Sequence, residues 1–130
     1  MIRIGILGDI GSGKSFVAKQ FGYPVFDADL EVSKIYKKNK TCFVKLKKKL
    51  PLFIKSFPIK KNQLSKAILS DNKNIKKIIK IVHPIVRKKM SIFIKKNSRK
   101  KVIVLDIPLL IENKLFKKKD VLIFVDANKK

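Results

Sequence analysis

Gly8-Asp9-Ile10-Gly11-Ser12-Gly13-Lys14-Ser15 follows directly on the apolar run Ile2-Arg3-Ile4-Gly5-Ile6-Leu7. The spacing is G-x-x-x-x-G-K-[ST], a loop that wraps phosphate groups in backbone N–H donors. A strand-like run before it and a helix-like run after it supply the context this chemistry needs. Side chains at Gly8, Gly11 and Gly13 would hold the backbone away from a polyphosphate. Lys14 brings a point charge to the β- and γ-phosphates, and the Ser15 hydroxyl is placed to ligate a Mg²⁺ that bridges them. A helix opening near Lys14 directs its positive end at the same anions. The stretch predicts a nucleotide site and the beginning of a βα unit.

Outward from this loop, Ser15 to Phe21 reads as a helix that Gly22 ends, with Pro24 beyond it. Pro24 to Phe26 reads as a short strand. Asp27-Ala28-Asp29 then opens a second helix through Leu30, Ile35 and Tyr36. From Cys42 to about Ile94 the chain has no Gly, and Leu64, Ile68, Ile75, Ile78, Ile79 and Val82 recur at helical spacing. Residues 40–98 or so therefore form a helical insert, and Lys95 to Lys101 an exposed connection. Val102-Ile103-Val104-Leu105-Asp106 and Val121 to Asp126 are continuous apolar runs ending in acids, with a short helix-like stretch near Leu110 to Leu115 between them. Strands buried on both faces and separated by helices belong to parallel sheets with right-handed crossovers. The expected fold is α/β, of P-loop kinase type, with three layers, a parallel sheet and the helical insert, in one domain over 1–130.

Length and composition agree with one domain and a real core: 130 residues are 45% hydrophobic despite 32% charged. The net charge of +24 invites a nucleic-acid reading. Yet of 33 basic residues only Arg3, Arg87 and Arg99 carry the guanidinium fork that specific recognition favours, and lysine is spread through nearly every segment. A solvated lysine surface is the expectation, with loose, salt-sensitive binding to polyanions and no specific nucleic-acid partner. Cys42 is the only cysteine, no leader precedes the first strand, and no apolar run reaches the ~20 residues that span a bilayer. A cytoplasmic chain with no membrane partner is expected; oligomeric state is not legible.

In open α/β sheets ligands sit outside the carboxyl ends of the strands. Gly8, Asp27, Asp29, Asp106 and Asp126 all fall there by this reading. Phosphoryl transfer to an alcohol needs an acceptor for the hydroxyl proton, and Asp commonly fills that role. Asp29 is either that base or a helix cap; Asp27 is either a cap or a contact to Mg²⁺ through water. Asp106 ends an apolar strand in the manner of an acid that reaches Mg²⁺ through water, the alternative being a strand-end turn. His83 precedes Pro84, which reads most simply as a helix start with Pro in its first turn. Arg87 follows four residues later on the same helical face, and the pair is alternatively a grip for an anion.

Four stretches taken together carry a resemblance. They are Ile4 to Ser15, Phe26-Asp27-Ala28-Asp29, His83-Pro84-Ile85-Val86-Arg87, and Leu105-Asp106-Ile107-Pro108-Leu109-Leu110-Ile111-Glu112-Asn113. In this order they resemble the dephospho-CoA kinase family. The resemblance implies ATP and Mg²⁺ as cofactors and dephospho-CoA as acceptor, phosphorylated on its ribose 3′-hydroxyl in the last step of coenzyme A synthesis. Gly8 and Gly11 to Phe16, including Ser12, Gly13, Lys14 and Ser15, would then bind ATP. Asp29, with Lys14, would be catalytic. Asp27, His83, Arg87, Pro108, Leu109 and Leu110 would bind the acceptor, and Ser15 and, through water, Asp106 would hold the metal. The rival readings are a P-loop kinase for a nucleoside or nucleotide, and a non-catalytic polyanion-binding P-loop fragment.

Three positions depart from the family pattern as expected: Leu7 in place of Thr, Asp9 in place of Gly, and Lys61 in place of Arg. The resemblance also implies a lid helix, a final strand and a final helix after Asp126, which the 130 residues do not include. Weak nucleotide binding and poor turnover by these residues alone are expected on that ground.

Overall fold

The structure, a computed structural model, describes residues 1–7, 14–107 and 121–124. Their elements are β1 (Ile2–Leu7), α1 (Lys14–Gln20), β2 (Val25–Asp27), α2 (Ala28–Lys38), α3 (Lys40–Lys49), α4 (Lys61–Ser70), α5 (Lys73–Lys96), β3 (Val102–Asp106) and β4 (Val121–Phe124). The chain divides into two compact units, Met1–Asp29 with Arg87–Lys130, and Leu30–Val86. The helix-like stretch predicted near Leu110 to Leu115, and residues Val125-Asp126 of the last predicted strand, lie outside the described residues.

The first unit is built on a four-stranded sheet of order β2-β3-β1-β4, with every pairing parallel. The parallel α/β expectation is met. Register sets the two faces, because side chains alternate along each strand and register partners share a side. Ile4, Val104 and Val25 form one row, joined on that face by Ile6 and by Ala18 and Phe21 at the α1 side. α1 therefore covers this face. Gly5, Leu105 and Phe26 form a row on the opposite face, where Phe26 meets Phe93 of α5 at 5.6 Å between ring centroids. Within this unit the sheet lies between α1 and the C-terminal part of α5. Gly22 closes α1 at φ 72°, a left-handed conformation that glycine adopts without strain.

The second unit is helical. Ile35, Cys42, Leu46, Leu50, Ile54, Leu64, Ala67, Ile78 and Val82 fill its interior. Side chains satisfy the helix ends and the interior: the Asn39 side-chain oxygen accepts from the Cys42 N–H at 2.8 Å, capping α3. Buried Asn74 donates from Nδ2 to the Ala67 carbonyl at 2.7 Å, so a polar group at this depth has its bond.

α5 corrects one expectation. His83 and Pro84 do not open a helix; both lie inside a continuous 24-residue one. Proline inside a helix removes one i→i−4 bond and costs ~3 kcal/mol. Burial of Ile78, Val82, Val86 and Met90 along one stripe offsets that cost, so packing overrides the local signal. α5 also runs to Lys96, so the connection predicted from Lys95 is shorter, beginning at Asn97.

Cys42 is fully buried, and burial pushes its thiol up to about 11. The thiolate is the reactive form, so reaction at pH 8 waits on opening of the helical unit. A thiol reagent in excess should label the native chain at least ~10²-fold more slowly than the chain in guanidinium, in line with protection by folding free energy. Labelling at equal rates in both conditions would mean that Cys42 is not enclosed.

Candidate functional site

β1 ends at Leu7 and α1 begins at Lys14, so Lys14 and Ser15 are the first two residues of that helix. The loop residues Gly8, Asp9, Ile10, Gly11, Ser12 and Gly13 lie outside the described residues. So do Pro108, Leu109 and Leu110. Phe16 stands in α1 and is 68% exposed, an unusual position for a large aromatic ring and an open one for a flat ligand.

The acids gather at the carboxyl edge of the sheet. Asp27 is the last residue of β2 and Asp106 the last of β3, and the two are register partners. Their Cα atoms are therefore ~4.8 Å apart, with both side chains on one side of the sheet. That side is the one α1 covers, since Asp106 is also the partner of Ile6 and Ile6 packs against Ala18. Asp106 is 1% exposed and Asp27 half-buried. Two carboxylates side by side in a poorly hydrated place repel unless a cation is near. α1, which begins at Lys14, packs on the same face through Ala18.

Asp29 is the second residue of α2, half-buried, two residues past the end of β2. The structure thus brings Asp27 and Asp106 side by side and sets Asp29 in the adjoining helical turn. His83 is 6% exposed within α5, whereas Arg87 of the same helix is exposed.

A Mg²⁺ ion takes oxygen donors and usually keeps several waters, with one or two carboxylates plus phosphate oxygens completing its shell. Among the described residues no three His, Cys, Asp or Glu side chains converge to form a cage. The Asp27–Asp106 pair suits an ion held in that sparse way. What sequence reasoning missed is the adjacency itself: each Asp was visible at a strand end, but which strands are neighbours was not.

Among the described residues no helix is long and apolar enough to cross a membrane. The dephospho-CoA kinase family model matches residues 2–130. The chain is 39% identical over 130 residues to the dephospho-CoA kinase of Wolbachia sp. subsp. Brugia malayi (strain TRS), covering 96% of this chain and 67% of that protein. It is 37% identical over 129 residues to the enzyme of the same name from Bartonella henselae, covering 95% and 66%. Among solved structures, TT1252 from Thermus thermophilus superposes with a TM-score of 0.70 at 32% identity, over 96% of this chain and 65% of that one. The chain spans about two thirds of the length of these relatives. A match over essentially every residue, on a parallel sheet with its acids at the carboxyl edge, leads to one conclusion: this chain belongs to the dephospho-CoA kinase family.

Proposed function

We propose that the chain carries the nucleotide-binding and acceptor-binding parts of an enzyme that transfers the γ-phosphoryl group of ATP to the ribose 3′-hydroxyl of dephospho-CoA, giving coenzyme A and ADP. The adjacent Asp27 and Asp106, on the sheet face from which Lys14 and Ser15 open α1, are the observation that carries this reading.

Gly8, Gly11, Ser12 and Gly13 enclose the ATP phosphates with backbone N–H groups, and Lys14 neutralises charge on the β- and γ-phosphates. Phe16 lies one step further along α1, beside the nucleotide. The Ser15 hydroxyl and, through water, Asp106 would hold Mg²⁺, with Asp27 the register partner of Asp106. When bound, Mg²⁺ draws off negative charge that builds on the phosphate oxygens. Asp29 accepts the proton of the 3′-hydroxyl as its oxygen forms a bond to the γ-phosphorus. The bond from that phosphorus to the β-phosphate oxygen breaks, and ADP leaves with the electron pair. His83, Arg87, Pro108, Leu109 and Leu110 bind the acceptor, and the setting is the cytoplasm.

The test is product formation from ATP and Mg²⁺ with a panel of acceptors, on this chain and on the chain extended to the length of its relatives. Coenzyme A from dephospho-CoA, with Lys14→Ala lowering the rate by about 10²-fold or more, is the expected result. Product from a nucleoside but none from dephospho-CoA would replace this reading with the nucleoside-kinase one.

A further inference from the structure

Between Glu31 and Asp71 the chain holds twelve lysines and no acid, and all of this stretch lies within the helical unit. α3 runs through its middle and fully buries only Cys42 and Leu46. At 3.6 residues per turn, Val44 and Lys48 fall on the opposite side of the helix, with Lys45 and Lys47 flanking them and Lys49 at the end. All five are exposed, Val44 by 60%. A further turn follows, closed by the Ile54 N–H donating to the Leu50 carbonyl at 2.9 Å, and on it Leu52 stands 77% exposed.

A single exposed leucine is ordinary, and so is an exposed lysine. What sets this segment apart is that large apolar side chains and lysines are exposed together, with no carboxylate to neutralise the charge. The first half of α5 makes the contrast: Lys73, Lys76, Lys77 and Lys80 are exposed, but no large apolar side chain is exposed among residues 73–80. On α3 the Lys47 Nζ lies 5.8 Å from the centre of the Phe43 ring, which packs against Phe57 at 5.5 Å. This lysine thus carries its charge over apolar surface, as a side chain at a lipid boundary does. A nucleic acid would engage the lysines alone. The stretch between Glu31 and Asp71 has no arginine for bidentate phosphate contacts and no exposed aromatic ring on which bases could stack. An anionic lipid surface engages both kinds of side chain.

We propose that this face of the helical unit docks on a membrane surface rich in anionic phospholipid. The lysines of α3 lie among the phosphate headgroups, and Val44 and Leu52 enter the boundary between headgroups and acyl chains. Adhesion of this kind needs no spanning helix, and the described residues contain none. The expectation of no membrane partner rested on the lack of a spanning run, which does not bear on attachment at the surface. Each lysine near an anionic surface strengthens partitioning by about fivefold, so several acting together give a firm but salt-sensitive attachment. The face includes none of Lys14, Asp27, Asp29 or Asp106, so its failure would leave the kinase reading untouched.

The experiment is partitioning of the full chain onto phosphatidylcholine vesicles with and without about 30% phosphatidylglycerol, at about 0.15 M salt. Binding should require the anionic lipid. The chain has no tryptophan, so Leu52→Trp introduces a single reporter. Its emission should shift to the blue on the anionic vesicles and be quenched by brominated acyl chains. The variant K45A/K47A/K48A/K49A should weaken partitioning by about 10²-fold or more, the product of four lysines at the surface. The charge-matched variant K73A/K76A/K77A/K80A should weaken it by less than about fivefold, since charge held more than a Debye length of ~8 Å from the lipid is screened. V44S/L52S, which changes no charge and replaces only exposed side chains, should weaken it by about tenfold or more through lost apolar burial. Equal losses in the two lysine variants, or a tryptophan at 52 whose emission does not move, would reduce the face to part of a diffuse cationic surface and overturn the proposal. Tighter binding to an RNA duplex at equal phosphate concentration, unchanged in V44S/L52S, would overturn it in favour of a nucleic-acid surface.

Discussion

Asp29→Asn is expected to lower kcat for phosphorylation of dephospho-CoA by on the order of 10²–10⁴-fold, the usual contribution of a positioned general base. Asparagine keeps the size of the side chain and its ability to accept a hydrogen bond from the substrate hydroxyl, but it cannot take the proton. KM for ATP should therefore stay within about threefold of the wild-type value, because only an interaction made in the transition state is removed. Asp29 sits in the first turn of α2, where a negative charge also stabilises the helix by ~0.3–1 kcal/mol. That loss is too small to unfold the chain and does not explain a hundredfold rate effect. Asp27→Asn is the informative contrast. It removes one of two like charges that share a register position with Asp106, so its effect should fall on the Mg²⁺ concentration needed for half-maximal rate. The measurement is steady-state kinetics of the chain extended to the length of its relatives, with ATP, acceptor and Mg²⁺ each varied. A kcat within about threefold of wild type for Asp29→Asn would remove Asp29 from the role of base and leave it as a helix-end charge.

The parts of this site differ in how readable they are from residues alone, and the difference has a physical basis. Local rules determine a phosphate loop: glycines at fixed offsets, then Lys14 and Ser15, are all contained in eight consecutive positions. Continuous apolar runs such as Val102 to Leu105 likewise announce a strand covered on both faces. Strand order obeys no local rule. β1 and β2 are consecutive strands joined through α1, yet β3, which arrives some 75 residues later, lies between them. That insertion makes Asp27 and Asp106 neighbours and sets both on the face under α1. It also places the turning point of strand order beside β1, where open α/β sheets form their ligand crevice. His83-Pro84 shows the opposite failure. The local signal for a helix start was present, but a stripe of buried Ile78, Val82, Val86 and Met90 carries α5 straight through it.

Leu105→Ala is expected to destabilise the chain by about 2–5 kcal/mol, the cost of emptying a fully enclosed leucine site. β3 is an inner strand, paired to β1 on one side and β2 on the other, and Leu105 has no solvent exposure. Its register partners are Gly5 and Phe26. Gly5 has no side chain to take up the space that a truncated Leu105 would leave. Phe26 is held in turn against Phe93, and a pair of rings fixed on both sides shifts little to close a gap. Poor collapse puts the expected cost in the upper part of the range. Against a total stability of ~5–15 kcal/mol, such a loss should lower Tm by roughly 10–20 °C for a chain of this size. Leu69→Ala supplies the comparison, since Leu69 is 86% exposed and its replacement should alter stability by less than about 0.5 kcal/mol. Thermal unfolding followed by circular dichroism reads both variants. If Leu105→Ala melted within about 3 °C of the wild type, the row of Gly5, Leu105 and Phe26 would not be the tightly packed face described above. The register that sets Asp27 beside Asp106 would then lose its support, because the same pairing places both rows.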